Sequence, residues 1–324
     1  MKNKKSFFNN YFATEHLNRQ GMKRSDSLWI KNRLHSNSAF IIPVFNSEFL
    51  VSKEDKPEAV FLKLDLLNEY RDQLDNFIFL GEIENNAYFC VNINDLGVQH
   101  DSLNGLGEFK ELRAIAPLID PKDAALLAYS RAMIYWHNNN RYCGLCGSPT
   151  EIGEAGYKRT CINQECLTEH FPRIDPAIIV LVSDGDKCLL ARQSKWRPGQ
   201  YATIAGFVEP GESLEQAVAR EVYEETGVEL NEIWYRSSQP WPFPSAIMLG
   251  FMATAKNTKI TLHDNELEDA IWLTREEIKT KLLNDTFKLP FGISISFKLV
   301  EQWFNEGDEG NLSELLSSID PAKR

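Results

Sequence analysis

The chain reads as an α/β protein, and three observations carry that reading. Residues 172–305 alternate stretches of strand and helix character, the pattern of a sheet covered by helices. The stretch "AIIVLVSD" is almost wholly apolar, as in a buried strand. "SLEQAVAREVYEETG" instead places Leu214, Val218 and Val222 on one helical stripe.

Bulk properties bound the rest. The chain has 324 residues, 43% hydrophobic and 25% charged, which suits two or three globular domains. Its net charge of −11 disfavours a dedicated duplex-DNA binder. A polyanionic substrate would then need metal ions or local cations at its site. No stretch reaches about 18 consecutive apolar residues, so no membrane span is expected. The start, "MKNKKSFFNNYF", is basic but has no apolar core or small-residue cleavage site, so no secretory signal is read. A solvated end is the first reading of its lysines and a transit peptide the second. The expected location is cytoplasmic, where paired cysteines point to metal rather than disulfides.

In chain order, residues 1–138 form an α+β domain. Its strands are "AFIIPVF", "NFIFLGEI" and "AYFCVNI". Its closing helix, "PKDAALLAYSRAMIYWHNN", carries Pro121 and Asp123 as start signals. Tyr129, Tyr135 and Trp136 on that helix are read as packing residues. Residues 139–171 are short and cysteine-rich. In residues 172–305, "KCLLAR" is the hairpin partner of "AIIVLVSD". "SAIMLGFMATA" and "DAIWLT" are further strands, and "SISFKLVEQWF" is a closing helix. Residues 306–324 are polar and read as a loosely held tail.

Cys143, Cys146, Cys161 and Cys166 form two close pairs, the first on Gly-rich turns that let two thiolates converge. Four thiolates in a tetrahedron suit a structural Zn²⁺, which would supply folding energy to so short a region. His170 in place of Cys166 is the alternative fourth ligand. A closed four-cysteine site has no open position, so this zinc is given no catalytic role. Cys90 and Cys188 lie in apolar strands and read as buried free thiols.

The chemistry concentrates in "GFVEPGESLEQAVAREVYEETGV", Gly206 to Val228. Ser213 and Gln216 match a capping box, and Gly227 is placed to end the helix. Glu221 and Glu225, at i and i+4, continue the apolar stripe, with Glu224 to one side. A plain surface helix puts its glutamates opposite the apolar face. Glutamates gathered near a helix C-terminus also oppose the macrodipole and repel each other. Divalent cations offset that cost, and carboxylate oxygens completed by water suit Mg²⁺ or Mn²⁺. Arg220 is a single nearby counter-charge, expected toward Glu212 or the loop.

The spacing of Gly206, Glu212, Arg220, Glu221, Val222, Glu224, Glu225, Gly227 and Val228 resembles the Nudix box at every fixed position. The four-cysteine region before "FPRIDPAIIV" and the stretch "SQPWPFPS" after the box resemble the NADH pyrophosphatase branch of that family. The resemblance covers about residues 139–305 and leaves the N-terminal domain divergent. It implies an α/β/α sandwich around a mixed sheet, preceded by a zinc ribbon. It implies metal-dependent hydrolysis of NAD(H) to nicotinamide mononucleotide and AMP.

The resemblance also implies roles. Glu221, Glu224 and Glu225 would be catalytic and would hold the metal with Glu266 and the Ala205 carbonyl. Glu212 and Arg220 would brace the loop. Substrate contacts would come from Phe207, from Gln239, Pro240, Trp241, Pro242, Phe243, Pro244 and Ser245, and from Ser296. Phe171 stands where the family has a tyrosine that stacks on the base from the partner subunit, so a homodimer is implied. The enzymatic alternatives are removal of an NAD cap from RNA, with "RQSKWRPGQ" as a local basic strip, and a broader action on ADP-ribose or dinucleoside polyphosphates. A catalytically dead nucleotide-binding module is the non-enzymatic alternative, and the complete set of box glutamates argues against it.

Overall fold

A computed structural model describes residues 10–70, 72–263, 266–290 and 292–319. The basic start, residues 1–9, and the last five residues lie outside the described residues. The chain divides into two compact units. The N-terminal unit is Phe12–Ile174 with Pro240–Ser245, and the C-terminal unit is Met1–Tyr11, Asp175–Gln239 and Ala246–Arg324.

The N-terminal unit contains helices α1 (Ser27–Leu34), α2 (Ile93–Leu96), α3 (Leu112–Ile115) and α4 (Pro121–Asn139). Strands β1 (Ala39–Phe45), β2 (Glu48–Val51), β3 (Ile78–Ile83), β4 (Asn86–Asn92) and β5 (Glu108–Glu111) form a sheet in the order β3-β4-β1-β2-β5. Phe79, Phe89, Ile41 and Leu50 are fully buried in its core. Helix α4 begins as its sequence predicts, with Pro121 in the first turn, and Asp120 caps it by accepting the Lys122 N–H at 2.8 Å. Trp136 packs inside, but Tyr135 lies on the exposed face of the helix, because the packed stripe passes through Met133, Ile134 and Trp136 instead. Strands β6 (Thr150–Gly153), β7 (Lys158–Cys161) and β8 (Glu169–His170) form a separate three-stranded antiparallel sheet in the cysteine-rich region.

The C-terminal unit contains β9 (Asp175–Ser183), β10 (Lys187–Arg192), β11 (Ile204–Phe207), β12 (Leu230–Trp241), β13 (Ala246–Ala255) and β14 (Asp269–Thr274). Its helices are α5 (Leu214–Thr226), α6 (Arg275–Leu283), α7 (Ile295–Asn305) and α8 (Leu312–Ser318). The sheet order is β12-β13-β9-β10-β14, with β11 also on β9. The β13–β9 pair is parallel, whereas β10–β14, β10–β9 and β11–β9 are antiparallel, so the sheet is mixed.

Strand β9 shows why its sequence has no polar alternation. Ile178, Val180 and Val182 point to one face, where Val218 and Val222 of α5 cover them. Ile179 and Leu181 point to the other, beneath Val300, Trp303 and Phe304 of α7. Helices on both faces make the expected α/β/α sandwich. Prolines kept the "SQPWP" stretch out of any central strand. Its first four residues, 238–241, form the end of β12, at the edge of the sheet, and Pro242 begins the turn that follows.

One expectation fails at the C-terminus. The polar tail is not loose as far as Ser318. Asn311 caps α8 by accepting the Glu314 N–H, and Leu312 is fully buried against the α7 side of the core. Leu315, Leu316 and Ile319 pack on the same core, and composition averaged over a polar stretch conceals these apolar positions and the cap.

Candidate active site and metal centre

The loop and helix Gly206–Val228 build the candidate active site. Ser213 and Gln216 form the expected capping box: the Ser213 N–H donates to Gln216 Oε1 at 2.8 Å, and Gln216 N–H donates to Ser213 Oγ at 3.3 Å. Gly227 ends α5 with φ 69°, the left-handed conformation that favours glycine. Between these limits, the helical period sorts the glutamates by burial. Glu225 is 5% exposed. The Glu221 side chain is 15% exposed and that of Glu224 is 53% exposed.

Gly206, on β11, is a glycine for a steric reason. A Cβ at this position would collide with the Glu221 carboxylate. The missing side chain lets that carboxylate lie directly against the β11 backbone, next to Ala205. Burial raises the Glu221 pKa, and Arg220 opposes the rise.

Arg220 organises the acidic groups. Its Nε and one terminal nitrogen donate to the two oxygens of Glu212 at 2.6 and 3.0 Å. The other terminal nitrogen donates to Glu221 at 2.9 Å and Glu224 at 3.0 Å. The Phe207 carbonyl accepts a further bond at 3.0 Å. One guanidinium thus ties three glutamates to the loop, a use of its planar fork that lysine could not reproduce. Glu212 also accepts the Glu209 N–H at 3.0 Å. Arg220 holds the Glu212 carboxyl at about 2, below its ordinary 4.5, and the glutamates keep Arg220 protonated.

The structure places the remaining residues of the expected site in several settings. Phe207 is exposed on the same loop. Glu266 is exposed, and its carboxylate accepts from Gln193 at 3.3 Å. Ser296, in the first turn of α7, is buried and accepts from the Thr203 N–H at 3.2 Å and hydroxyl at 2.9 Å. Gln239 is fully buried. Its amide donates to the carbonyls of Tyr11 (3.0 Å) and Ile293 (2.8 Å), and its oxygen accepts the Ile295 N–H at 2.7 Å. Gln239 and Ser296 therefore have their polar atoms engaged inside the unit.

Phe171 and Pro240–Ser245 fall in the N-terminal unit. Phe171 is exposed. Trp241 and Phe243 are half-buried, with ring centroids 5.2 Å apart, and Phe12 packs on both at 6.0 and 6.1 Å. The guanidiniums of Arg113 and Arg131 lie 4.4 and 5.2 Å from the Phe243 centroid. No local pattern marks this setting, because Phe12, Arg113 and Arg131 are far from the loop along the chain.

The second centre is in the N-terminal unit. Among the described residues, the four cysteines are the one group of ligand-type side chains whose donor atoms all lie within 4.8 Å of one another. Cys143 and Cys166 sulfurs are 3.7 Å apart, and those of Cys146 and Cys161 are 3.4 Å apart. A zinc tetrahedron with Zn–S bonds of about 2.3 Å has edges of about 3.8 Å, so the donor set fits the ion. The group is the four cysteines, Cys166 included, and His170 lies beside it with Nε2 3.4 Å from the Cys143 sulfur. Backbone N–H groups of Cys146 and Leu145 pull the Cys143 thiol down to about 6, toward the thiolate a metal requires. Cys90 and Cys188 are buried elsewhere, and burial pushes both thiols up, Cys90 to about 12.

Comparison with known proteins agrees with this division of the chain. Residues 38–136 match the NADH pyrophosphatase-like rudimentary NUDIX domain, 138–171 the NADH pyrophosphatase zinc ribbon domain and 173–290 the NUDIX domain. The human NAD-capped RNA hydrolase NUDT12 is 32% identical, over 91% of this chain and 73% of its own length. The NAD-capped RNA hydrolase NudC of Mycobacterium bovis is 39% identical, over 60% of this chain and 65% of its own. The human mitochondrial NAD(P)H pyrophosphatase NUDT13 is 39% identical, over 61% and 59%. Box, ribbon and rudimentary domain occur here in one chain, which belongs to the NADH pyrophosphatase branch of the Nudix hydrolase family.

Proposed function

We propose that this chain hydrolyses the pyrophosphate bond of NAD(H), giving nicotinamide mononucleotide and AMP. The observation that carries the proposal is the glutamate set on α5, with Glu221 lying against Gly206 and Arg220 holding three carboxylates. Glu221, Glu224, Glu225, Glu266 and the Ala205 carbonyl would supply oxygen donors only, the chemistry that suits Mg²⁺ or Mn²⁺. Such an ion, when bound, neutralises the diphosphate and lowers the pKa of a bound water. A glutamate of the set that is not fully used as a ligand takes the proton of the attacking water. Glu212 and Arg220 keep the loop in place during this step. Phe207 offers an exposed face for a base. Phe171, Pro240, Trp241, Pro242, Phe243, Pro244 and Ser245 are assigned to substrate by their motif positions. Gln239 and Ser296 are assigned to substrate in the same way.

The names of the relatives favour one second reading, removal of an NAD cap from RNA by the same bond cleavage. Turnover of free NADH and of NAD-capped RNA, compared under matched conditions, separates the two. A higher kcat/KM on NADH supports the first reading, and measurable turnover of capped RNA alone overturns it.

The chain is further proposed to act as a homodimer in the cytoplasm. Tyr142, Leu145, Leu167 and Phe171 are large apolar residues exposed on the ribbon, a surface suited to a second copy. All six cysteines are free, which suits a reducing compartment. Among the described residues no helix is long and apolar enough to cross a membrane. Sedimentation analysis at micromolar concentration tests the dimer, and a monomer with full activity would refute it.

A further inference from the structure

The N-terminal unit contains a cavity of about 250 Å³ that no part of the proposed reaction uses. Its rim is polar and open to solvent, with Asp95, Asn138 and Arg141 all exposed. Its floor holds three buried polar side chains, Asn92, His137 and Arg159, which are 7, 6 and 8% exposed. Ile78, Ile134 and Ile152 supply an apolar wall.

The floor is built around a buried cation. Arg159 donates to the Thr150 hydroxyl at 2.7 Å, to the Thr150 carbonyl at 2.9 Å and to His137 Nδ1 at 3.0 Å. His137 Nε2 must donate to the Gly156 carbonyl, 2.9 Å away, so its Nδ1 is an acceptor and the ring is neutral. Burial, then Arg159, pushes the His137 pKa down to about 4 in agreement. Every partner of Arg159 is therefore uncharged. The carboxylate in the cavity wall, Asp95, is bonded to Arg141 at 2.6 Å. Two guanidiniums face one carboxylate, which leaves one positive charge in excess around the cavity. Arg159 thus shares the charge of Asp95 with Arg141, a buried cation so placed is costly, and an anion in the cavity offsets that cost.

We infer that this cavity binds a small oxyanion-bearing molecule, a phosphate monoester or a carboxylate, with Arg159 as its charge partner. The planar guanidinium fork matches either group. The volume exceeds that of the anionic group alone, and the isoleucine wall suits an attached apolar or planar body. The ligand would touch both α4 and the ribbon strands β6 and β7, and so would stabilise the unit that carries the zinc.

Isothermal titration calorimetry on the full-length, zinc-loaded protein tests this, with inorganic phosphate, AMP and succinate as probes. Two variants report on the cavity. Asn138→Trp plugs the mouth from an exposed helical position, and Arg159→Gln removes the charge. At least one probe is expected to bind the wild type, with affinity falling about tenfold or more in both variants. The probe that binds distinguishes phosphate from carboxylate. AMP is also a product of the proposed reaction, so the readout is the part of the wild-type signal that each variant loses, and inorganic phosphate and succinate are titrated again with AMP saturating the catalytic site. Should Arg159→Gln fail to fold, Asn138→Trp decides alone. Binding by none of the three probes, or a wild-type signal of which no part is lost in Asn138→Trp or in a folded Arg159→Gln, overturns the inference.

Discussion

Gly206→Ala is a one-methyl test of how the carboxylate helix is held. The new Cβ would fall on the Glu221 carboxylate, closer than real Cβ atoms approach a neighbour. Strand β11 cannot retreat, because Gly206 is paired with Ile178 on β9. The carboxylate must therefore swing away by about 1 Å or more, a displacement that typically costs about a hundredfold in rate. That corresponds to about 2.7 kcal/mol in the barrier. The swing also breaks the 2.9 Å bond from Arg220, a charge-assisted contact of about 1.5–3 kcal/mol. The assay is kcat/KM on NADH with saturating Mg²⁺, run beside a thermal melt. The expected result is a loss of about a hundredfold in kcat/KM with a cooperative melt lowered by only several degrees. Gly105→Ala, where a Cβ meets nothing within 4 Å, is the control and should leave both unchanged. Wild-type kcat/KM in Gly206→Ala would show that the position of the Glu221 carboxylate does not matter to the chemistry.

Three further outcomes are expected. Glu212 is held at about 2 against an ordinary 4.5, so the stability it contributes is complete above pH 4.5 and is lost as pH falls toward 2. Arg220→Gln should remove that part of the acid dependence, read from urea midpoints across the range, and a slope identical to wild type would contradict it. Cys161→Ser should abolish zinc binding, whereas His170→Ala should keep one zinc per chain by elemental analysis, since His170 lies outside the sulfur set. Gln239→Leu leaves the Ile295 N–H and two carbonyls without their partner and should destabilise the fold by about 2–4 kcal/mol in chemical denaturation, and an effect near zero would remove Gln239 from its internal role.

Local pattern made the glutamate helix α5 legible. A period of 3.6 residues places Glu221 and Glu225 beside Val218 and Val222, and burial in the fold follows that order. Ser213, Gln216 and Gly227 act within four residues of a helix end, so their roles also read from sequence. The zinc ligands were legible as a set, but choosing between Cys166 and His170 needed the distances. The proline–aromatic loop was legible by its resemblance to a family motif but not in its surroundings. Gln239 is bonded to residues 228 and 54 positions away, and Phe12 packs on Trp241 and Phe243 from the other end of the chain. Contacts of that separation are set by tertiary packing, which leaves no periodic trace in either partner. Arg159 is the same case. It reads as an ordinary charged residue of a short strand, and its burial depends on His137 and Thr150.

The central claim is that the α5 glutamates cleave the pyrophosphate bond of NAD(H). The most direct measurement is product analysis of NADH hydrolysis by wild type and Glu225→Gln, alongside ADP-ribose and dinucleoside polyphosphates. Wild type should favour NADH and release mononucleotides, and the variant should fold and lose most of that activity. Strong NADH hydrolysis by Glu225→Gln, or a wild type that leaves NADH intact, would contradict it.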